Sequence, residues 1–220
     1  MAKKERPKID EEWMTSYTDM VTLLMCFFVV MLSASKFDAV KFEQVRASMN
    51  QSLSRRTISN PIESMLFELK EDIRTIDGPE SIALGTDARG IVIEFSGDTT
   101  FDQGSADIKP EMLPHLKRIA ATLRSERYQN FTFSVEGHTS DENFSNSRFP
   151  SNWELSSARA STIARFLESR GIERFRLRAT GMYDIAPKYP NFNPFGEPIP
   201  ENRKRNRRVV IHVEPSFDDI

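Results

Sequence analysis

Residues 131–171, FTFSVEGHTSDENFSNSRFPSNWELSSARASTIARFLESRG, decide the fold because they hold a strand, a long loop and a helix in direct succession. Phe131 to Glu136 (FTFSVE) reads as a strand. The pattern then predicts a helix from about Ser156, whose hydroxyl suits an N-cap, to Arg170, with Gly171 as its stop. Upstream, Ile91, Ile93 and Phe95 alternate with Val92 and Glu94 between Gly90 and Gly97, the period of a strand. The segment PEMLPHLKRIAATLRSER puts Met112, Leu113, Leu116, Ile119, Ala120 and Leu123 on one helical face that has to cover a sheet. Strand-like runs follow at Phe175 to Thr180 and Arg208 to Val213. The order β, α, β, α, β, β predicts a mixed sheet with helices on one face, an α+β sandwich. Ahead of it, Ile62, Met65, Leu66, Leu69, Ile73 and Ile76 recur at helical spacing and stop at Asp77-Gly78-Pro79, a turn signal.

The N-terminal part obeys a different rule. Trp13 to Ser35 (WMTSYTDMVTLLMCFFVVMLSAS) is apolar over a length that, as a helix, reaches roughly 34 Å, enough to cross a hydrocarbon core once. Asp19 lies within it. An Asp deep in a spanning helix costs on the order of 2.5 to 3.5 kcal/mol, so such a residue normally faces a protein interior or an ion path. Thr15, Asp19, Thr22, Cys26, Val29 and Ser33 fall on one small or polar stripe, a seam suited to close helix packing. A plain anchor with Asp19 drawn toward the headgroups is the bland alternative. A cleaved signal peptide is another, opposed by Asp10, Glu11, Glu12 and Asp19. Lys3, Lys4, Arg6 and Lys8 favour a cytoplasmic N-terminus and an exported C-terminal bulk. Just after the span, Phe42, Val45, Met49 and Leu53 share a face of a short amphipathic helix.

Composition excludes several classes. The 220 residues are 39% apolar and 28% charged with net charge −2, a globular balance that argues against nucleic acid as the main partner. On charge alone the run Arg203-Lys204-Arg205-Asn206-Arg207-Arg208 could bind nucleic acid or anionic lipid. Cys26 is the single cysteine and sits in the span, so the exported part contains no disulfide. His115, His138 and His212 lack metal-ligand spacing, and no phosphate loop, dinucleotide fingerprint or GxSxG elbow occurs. Neither an enzyme nor a cofactor is expected.

The segment VEGHTSDENFSNSRFPSNWELSSARA (Val135–Ala160), with Asn206-Arg207-Arg208-Val209, resembles the peptidoglycan-binding domain of the OmpA family, and that resemblance implies that the basic run Arg203–Arg208 opens a strand. Joined to WMTSYTDMVTLLMCFFVVMLSASKFD, the chain resembles the MotB/PomB family of flagellar stator B subunits from the span to the end, and Met25-Cys26-Phe27-Phe28 resembles the sodium-driven branch. The resemblance implies a single-pass inner-membrane protein in four parts. These are a cytoplasmic tail (1–12), a transmembrane helix (13–35), a plug and linker (36–60) and a periplasmic OmpA-like domain with its leading helix (61–220). It implies two copies of this chain inside a ring of MotA/PomA-type A subunits, with Asp19 carrying the translocated proton or sodium ion and Thr22 offering an oxygen one turn away. Phe42, Val45 and Met49 would be the docking face of the plug that blocks ion leak.

The family clamps the diaminopimelate of the peptidoglycan stem peptide with the Asp of a GHTD motif and the Arg of LSxxRA. Here that Arg is Arg159, and Asn152, Asn206 and Arg207 also match. The Asp does not: the chain reads Gly137-His138-Thr139-Ser140-Asp141. A serine offers only a neutral hydrogen bond where a carboxylate offers a charge-assisted one, so Asp141 is expected to swing in. A non-flagellar ion-driven complex of the same kind and a purely structural envelope tether stay open as alternatives.

Overall fold

The computed structural model describes residues 12–34, 61–74 and 81–216. The chain divides into two units, Met1–Phe37 and Asp38–Ile220, each taken by itself. In the first, helix α1 (Glu12–Ala34) contains the stretch Trp13–Ser33, long and apolar enough to cross a membrane. Asp19 and Thr22 share its small and polar stripe. The Thr22 hydroxyl donates to the Asp19 carbonyl at 2.8 Å, and that of Thr18 to the Met14 carbonyl at 2.8 Å. Each hydroxyl proton is thus satisfied within the helix. The expected plug residues Phe42, Val45 and Met49 lie outside the described residues.

In the second unit the apolar spacing read along residues 62–73 forms helix α2 (Pro61–Arg74), which buries Ile62, Met65 and Leu69. An edge strand β1 (Ile82–Thr86) then pairs antiparallel with β2 (Ile91–Ser96). No alternation announces β1: only Ile82 is buried and Gly85 contributes no side chain, as an edge strand tolerates. A single helical turn, Gly97–Thr100, leads toward helix α3 (Leu113–Leu123), whose Leu116, Ile119, Ala120 and Leu123 are buried. Strand β3 (Phe131–His138), helix α4 (Asn152–Ser169) and strand β4 (Leu177–Tyr183) form a parallel crossover. Helix α5 (Pro200–Asn206) precedes strand β5 (Arg208–Pro215).

The sheet order is β1-β2-β5-β3-β4, and every pairing but β3 with β4 is antiparallel. Alternate residues, such as Ile93, Phe95, Phe133, Val135, Val209 and Ile211, point to one face and pack with Met65, Leu69, Leu116, Ile119 and Ile163 from α2, α3 and α4. The expected α+β sandwich with helices on one face is what forms. Two local expectations need correction. Helix α4 begins at Asn152, one turn before Ser156, because Ser151 is its N-cap: its Oγ accepts from the Trp153 amide at 3.2 Å. The signal was the S-x-x-E pattern Ser151–Glu154, a capping-box spacing. The basic run Arg203–Asn206 is helical, with Pro200 at the start of α5, and only Arg208 opens the strand.

Candidate functional site

Two glycines set where α4 sits. Gly137 on β3 and Gly181 on β4 are register partners, and a Cβ on Gly137 would lie 2.1 Å from the Ser156 carbonyl oxygen. A Cβ on Gly181 would meet Ser157 Oγ at 2.1 Å. Only bare backbone lets the helix lie so close to the sheet. Ser156 is therefore a small buried residue of the helix–sheet contact, its Oγ donating to the Trp153 carbonyl at 3.1 Å. This contact draws the first turns of α4 up to the loop that leaves β3.

That loop is pinned by Asn152, whose amide donates to the Glu142 carbonyl at 2.6 Å and approaches the Ser140 carbonyl at 3.5 Å. Beside it opens a cavity of about 550 Å³, to whose wall Thr139, Ser140, Glu142, Asn152, Arg159 and Arg207 contribute, with Asp98 and Lys109 from across the sheet. Arg159 is 4% exposed. Its Nε donates to the Ser105 carbonyl at 2.9 Å and its Nη2 to the Asp102 carbonyl at 3.3 Å, and the guanidinium lies over the Phe101 ring at 5.1 Å. Among the described residues no hydrogen bond takes up Nη1. Burial pushes this guanidinium down to about 10, against the attraction of Asp98, so it stays charged near neutral pH. The Thr139 hydroxyl is buried without a hydrogen-bond partner. An unpaired buried hydroxyl and a partly unpaired buried cation in one cavity both ask for a ligand acceptor.

Acidic groups stand opposite. Arg207 forks onto Asp98, Nε to Oδ1 and Nη2 to Oδ2, both at 3.0 Å, and reaches Glu142 Oε2 with Nη1 at 3.3 Å. Partial burial works against ionisation of Asp98, but the Arg207 fork outweighs it and holds the carboxyl below the usual range. The same fork raises Arg207. Ser140 Oγ donates to Glu142 Oε2 at 3.2 Å. Glu142 is the more exposed of the two carboxylates, and its contacts with Arg203 and Arg207 are long, 3.4 and 3.3 Å.

Of the expected binding residues, Thr139, Ser140, Asn152, Arg159 and Arg207 come together on this cavity. Asp141 and Asn206 do not. Asp141 does not swing in: Arg203 forks onto it, Nε to Oδ1 at 2.9 Å and Nη2 to Oδ2, which ties the loop to α5. Asn206 is fully buried and organises the loop before α5, accepting from the amides of Lys188 and Tyr189 and donating to the Tyr189 carbonyl and Asn191 Oδ1. Sequence reading missed Asp98 and Glu142. Glu142 stands two residues past Ser140, within reach of any reading that allowed the loop to turn; Asp98 has no local signal.

Behind the site, on the opposite sheet face, His138 and His212 flank the Glu136 carboxylate at 3.6 and 3.3 Å, and Arg89 pairs with it at 2.8 Å. The neighbouring His138, His212 and Arg89 hold Glu136 well below the ordinary carboxylate range, and burial lowers His138. His138 is thus turned away from Ser140, and the cavity lining places no imidazole to activate that hydroxyl. No group of three or more His, Cys, Asp or Glu side chains able to hold a metal occurs among the described residues.

Comparison with known proteins agrees with both units. Residues 1–53 match the family model of the membrane MotB of the proton-channel complex MotA/MotB, and residues 100–196 match the OmpA family. Motility protein B of Bacillus subtilis is 25% identical over 98% of this chain and 97% of its own. A MotB-like protein from Desulfovibrio vulgaris superposes with a TM-score of 0.61 at 27% identity, over 70% of this chain and 94% of that one. The cell wall anchor of the type VI secretion system from Pseudomonas aeruginosa superposes at 0.57 with 31% identity, over 69% of this chain and 96% of that one. With an apolar helix ahead of this sheet and this cavity, the chain is similar in both units to the MotB-family OmpA-like proteins, which are stator proteins and not a known family of enzymes.

Proposed function

We propose that this chain is the wall-anchored, ion-coupled B subunit of a motor stator. In this reading α1 crosses the inner membrane with its N-terminus in the cytoplasm, and two copies pack with a MotA/PomA-type A subunit. Asp19 and the Thr22 oxygen carry a proton or sodium ion, and the segment with Phe42, Val45 and Met49 plugs the path before assembly. The periplasmic domain grips the peptidoglycan stem peptide in its cavity. The likeness to a structure described as a cell wall anchor supports the grip.

The observation that carries the proposal is the paired demand of the cavity. Arg159 and the Thr139 hydroxyl are buried and short of acceptors, while Glu142 offers a carboxylate with long internal contacts. An amino-acid head with one carboxylate and one ammonium, as diaminopimelate presents, satisfies both at once. Glu142, with Asp98 behind it, takes the role that the family gives to an aspartate at position 140. The test is co-sedimentation of the detergent-solubilised full chain with cell-wall sacculi. Arg159→Lys, which cannot fork, and Glu142→Gln should each weaken binding about tenfold or more, the typical worth of a hydrogen bond to a charged group. Asp141→Asn should leave binding near the parental level. A loss confined to Asp141→Asn would return the ammonium to Asp141 and sink the Glu142 assignment.

A further inference from the structure

We propose that Trp153 and Tyr183 form a stacking platform for a pyranose ring of the glycan strand, beside the cavity that takes the stem peptide; this rests on the reading of that cavity given above. Trp153 is the second residue of α4, next to Asn152 in the cavity wall. Its indole stacks on the Tyr183 ring, centroids 5.4 Å apart and planes 22° from parallel, yet it remains 47% exposed. Tyr183 covers one face, so the exposure belongs to the other. A large flat apolar face held rigidly in water at the edge of a polar cavity is a binding feature.

The backbone is arranged to hold it there. Tyr183 ends β4 at a φ of 49°, a left-handed conformation uncommon for an aromatic residue and retained where surroundings impose it. Its carbonyl accepts from the Thr139 amide at 2.8 Å, its amide donates to Ser156 Oγ at 3.4 Å, and its hydroxyl donates to Asn143 Oδ1 at 3.3 Å. Thr139 and Asn143 both line the cavity. The platform is therefore continuous with the peptide site. A pyranose has the matching chemistry: an apolar face of C–H groups for the indole, and hydroxyl and acetamido groups at its rim for Asn143. The stem peptide is short and covalently joined to its sugar, and each residue spans at most about 3.5 Å, so a cavity that holds the stem keeps the sugar close by. That continuity favours the sugar over a protein partner or a second copy.

The test uses the full chain in detergent with three probes: a disaccharide–tripeptide, the same tripeptide without sugar, and the disaccharide alone. The parent should bind the disaccharide–tripeptide about threefold to tenfold more tightly than the tripeptide, the range expected of one aromatic stacking contact. Trp153→Ala should erase that margin and leave tripeptide affinity unchanged, while Trp153→Phe should keep part of it. The chain has two tryptophans, so in a Trp13→Phe background the emission reports Trp153 alone; it should change with the disaccharide-bearing probes and not with the tripeptide. Emission needs no variant at Trp153, so it decides the matter even if Trp153→Ala fails to fold. A margin that survives Trp153→Ala, an equal loss for both peptide probes, a change only in oligomeric state, or an emission blind to the disaccharide would each overturn the platform. Failure of the parent to bind the tripeptide, with the emission response to the disaccharide intact, would overturn the cavity reading and leave the platform standing.

Discussion

Asp19 and Arg159 are charged residues placed where charge is costly. One lies on the polar stripe of an otherwise apolar helix, the other at the base of a cavity with 4% exposure. For Arg159 the surroundings meet most of the cost: two backbone carbonyls and the Phe101 ring satisfy part of the guanidinium, and the rest is left for a ligand. For the Asp19 carboxylate no such partner occurs among the described residues, since the Thr22 hydroxyl bonds the Asp19 backbone carbonyl and not its side chain. Asp19→Asn removes the charge with almost no change of volume. In a host lacking its own B subunit, this variant should reach the membrane at the parental level and give no swimming, whereas Asp19→Glu should retain part. Parental swimming speed with Asp19→Asn would refute the ion-carrier role and leave a simple tether.

Helix α4 does most to shape the site, because one element supplies Asn152, Trp153 and Arg159 and crosses from β3 to β4. Its height above the sheet depends on the contact between Gly137 and the Ser156 backbone. Gly137→Ala would put a methyl 2.1 Å from a carbonyl oxygen that belongs to backbone and has no side-chain freedom to yield. The helix must lift, at about 1 to 3 kcal/mol as for other overpacked contacts. The melting temperature of the sheet domain should fall by several degrees, and sacculus binding should weaken with it because Arg159 moves as well. An unchanged melting temperature would show that the approach is looser than these positions indicate. Ser156 becomes intelligible at this scale, since a larger side chain in mid-helix would lie against both glycine-bearing strands.

At the scale of the whole domain, the sheet has one oily face and one charged face, and the charged face makes stability depend on pH. Glu136 is surrounded by His138, His212 and Arg89, with Asp87, Glu214 and Arg208 nearby. The folded state keeps His138 below its ordinary value of 6.5 through burial, and Glu136 well below 4.5 chiefly through His138. Between 6.5 and the folded value of His138 the unfolded chain binds protons that the folded one refuses, so stability falls as pH falls. Below 4.5 Glu136 acts in the same direction. The melting temperature of the domain, followed by near-ultraviolet circular dichroism, should be highest above about pH 6.5 and decline on acidification in two steps. His138→Gln should remove the upper step. A melting temperature that is flat or rises from pH 7 to 4 would contradict this.

Sequence alone determined what local periodicity and short motifs can encode: one apolar helix with its polar stripe, the order of the central strands and helices without β1 and α5, and a loop-and-helix segment of OmpA type with a serine where an aspartate is usual. Each of these depends on neighbours within about one or two turns of chain. Tertiary structure decided the electrostatics of the site. Asp98 and Arg207 meet across 109 positions of sequence because β2 and β5 pair, and nothing near either residue announces the other. The fate of Asp141 was likewise not local. One step along the loop turns its side chain to Arg203 on α5, a helix that the basic run does not announce, while Glu142 reaches the cavity. Direction of a side chain in a loop is set by the contacts that pin the loop, and those contacts exist only once the sheet has closed.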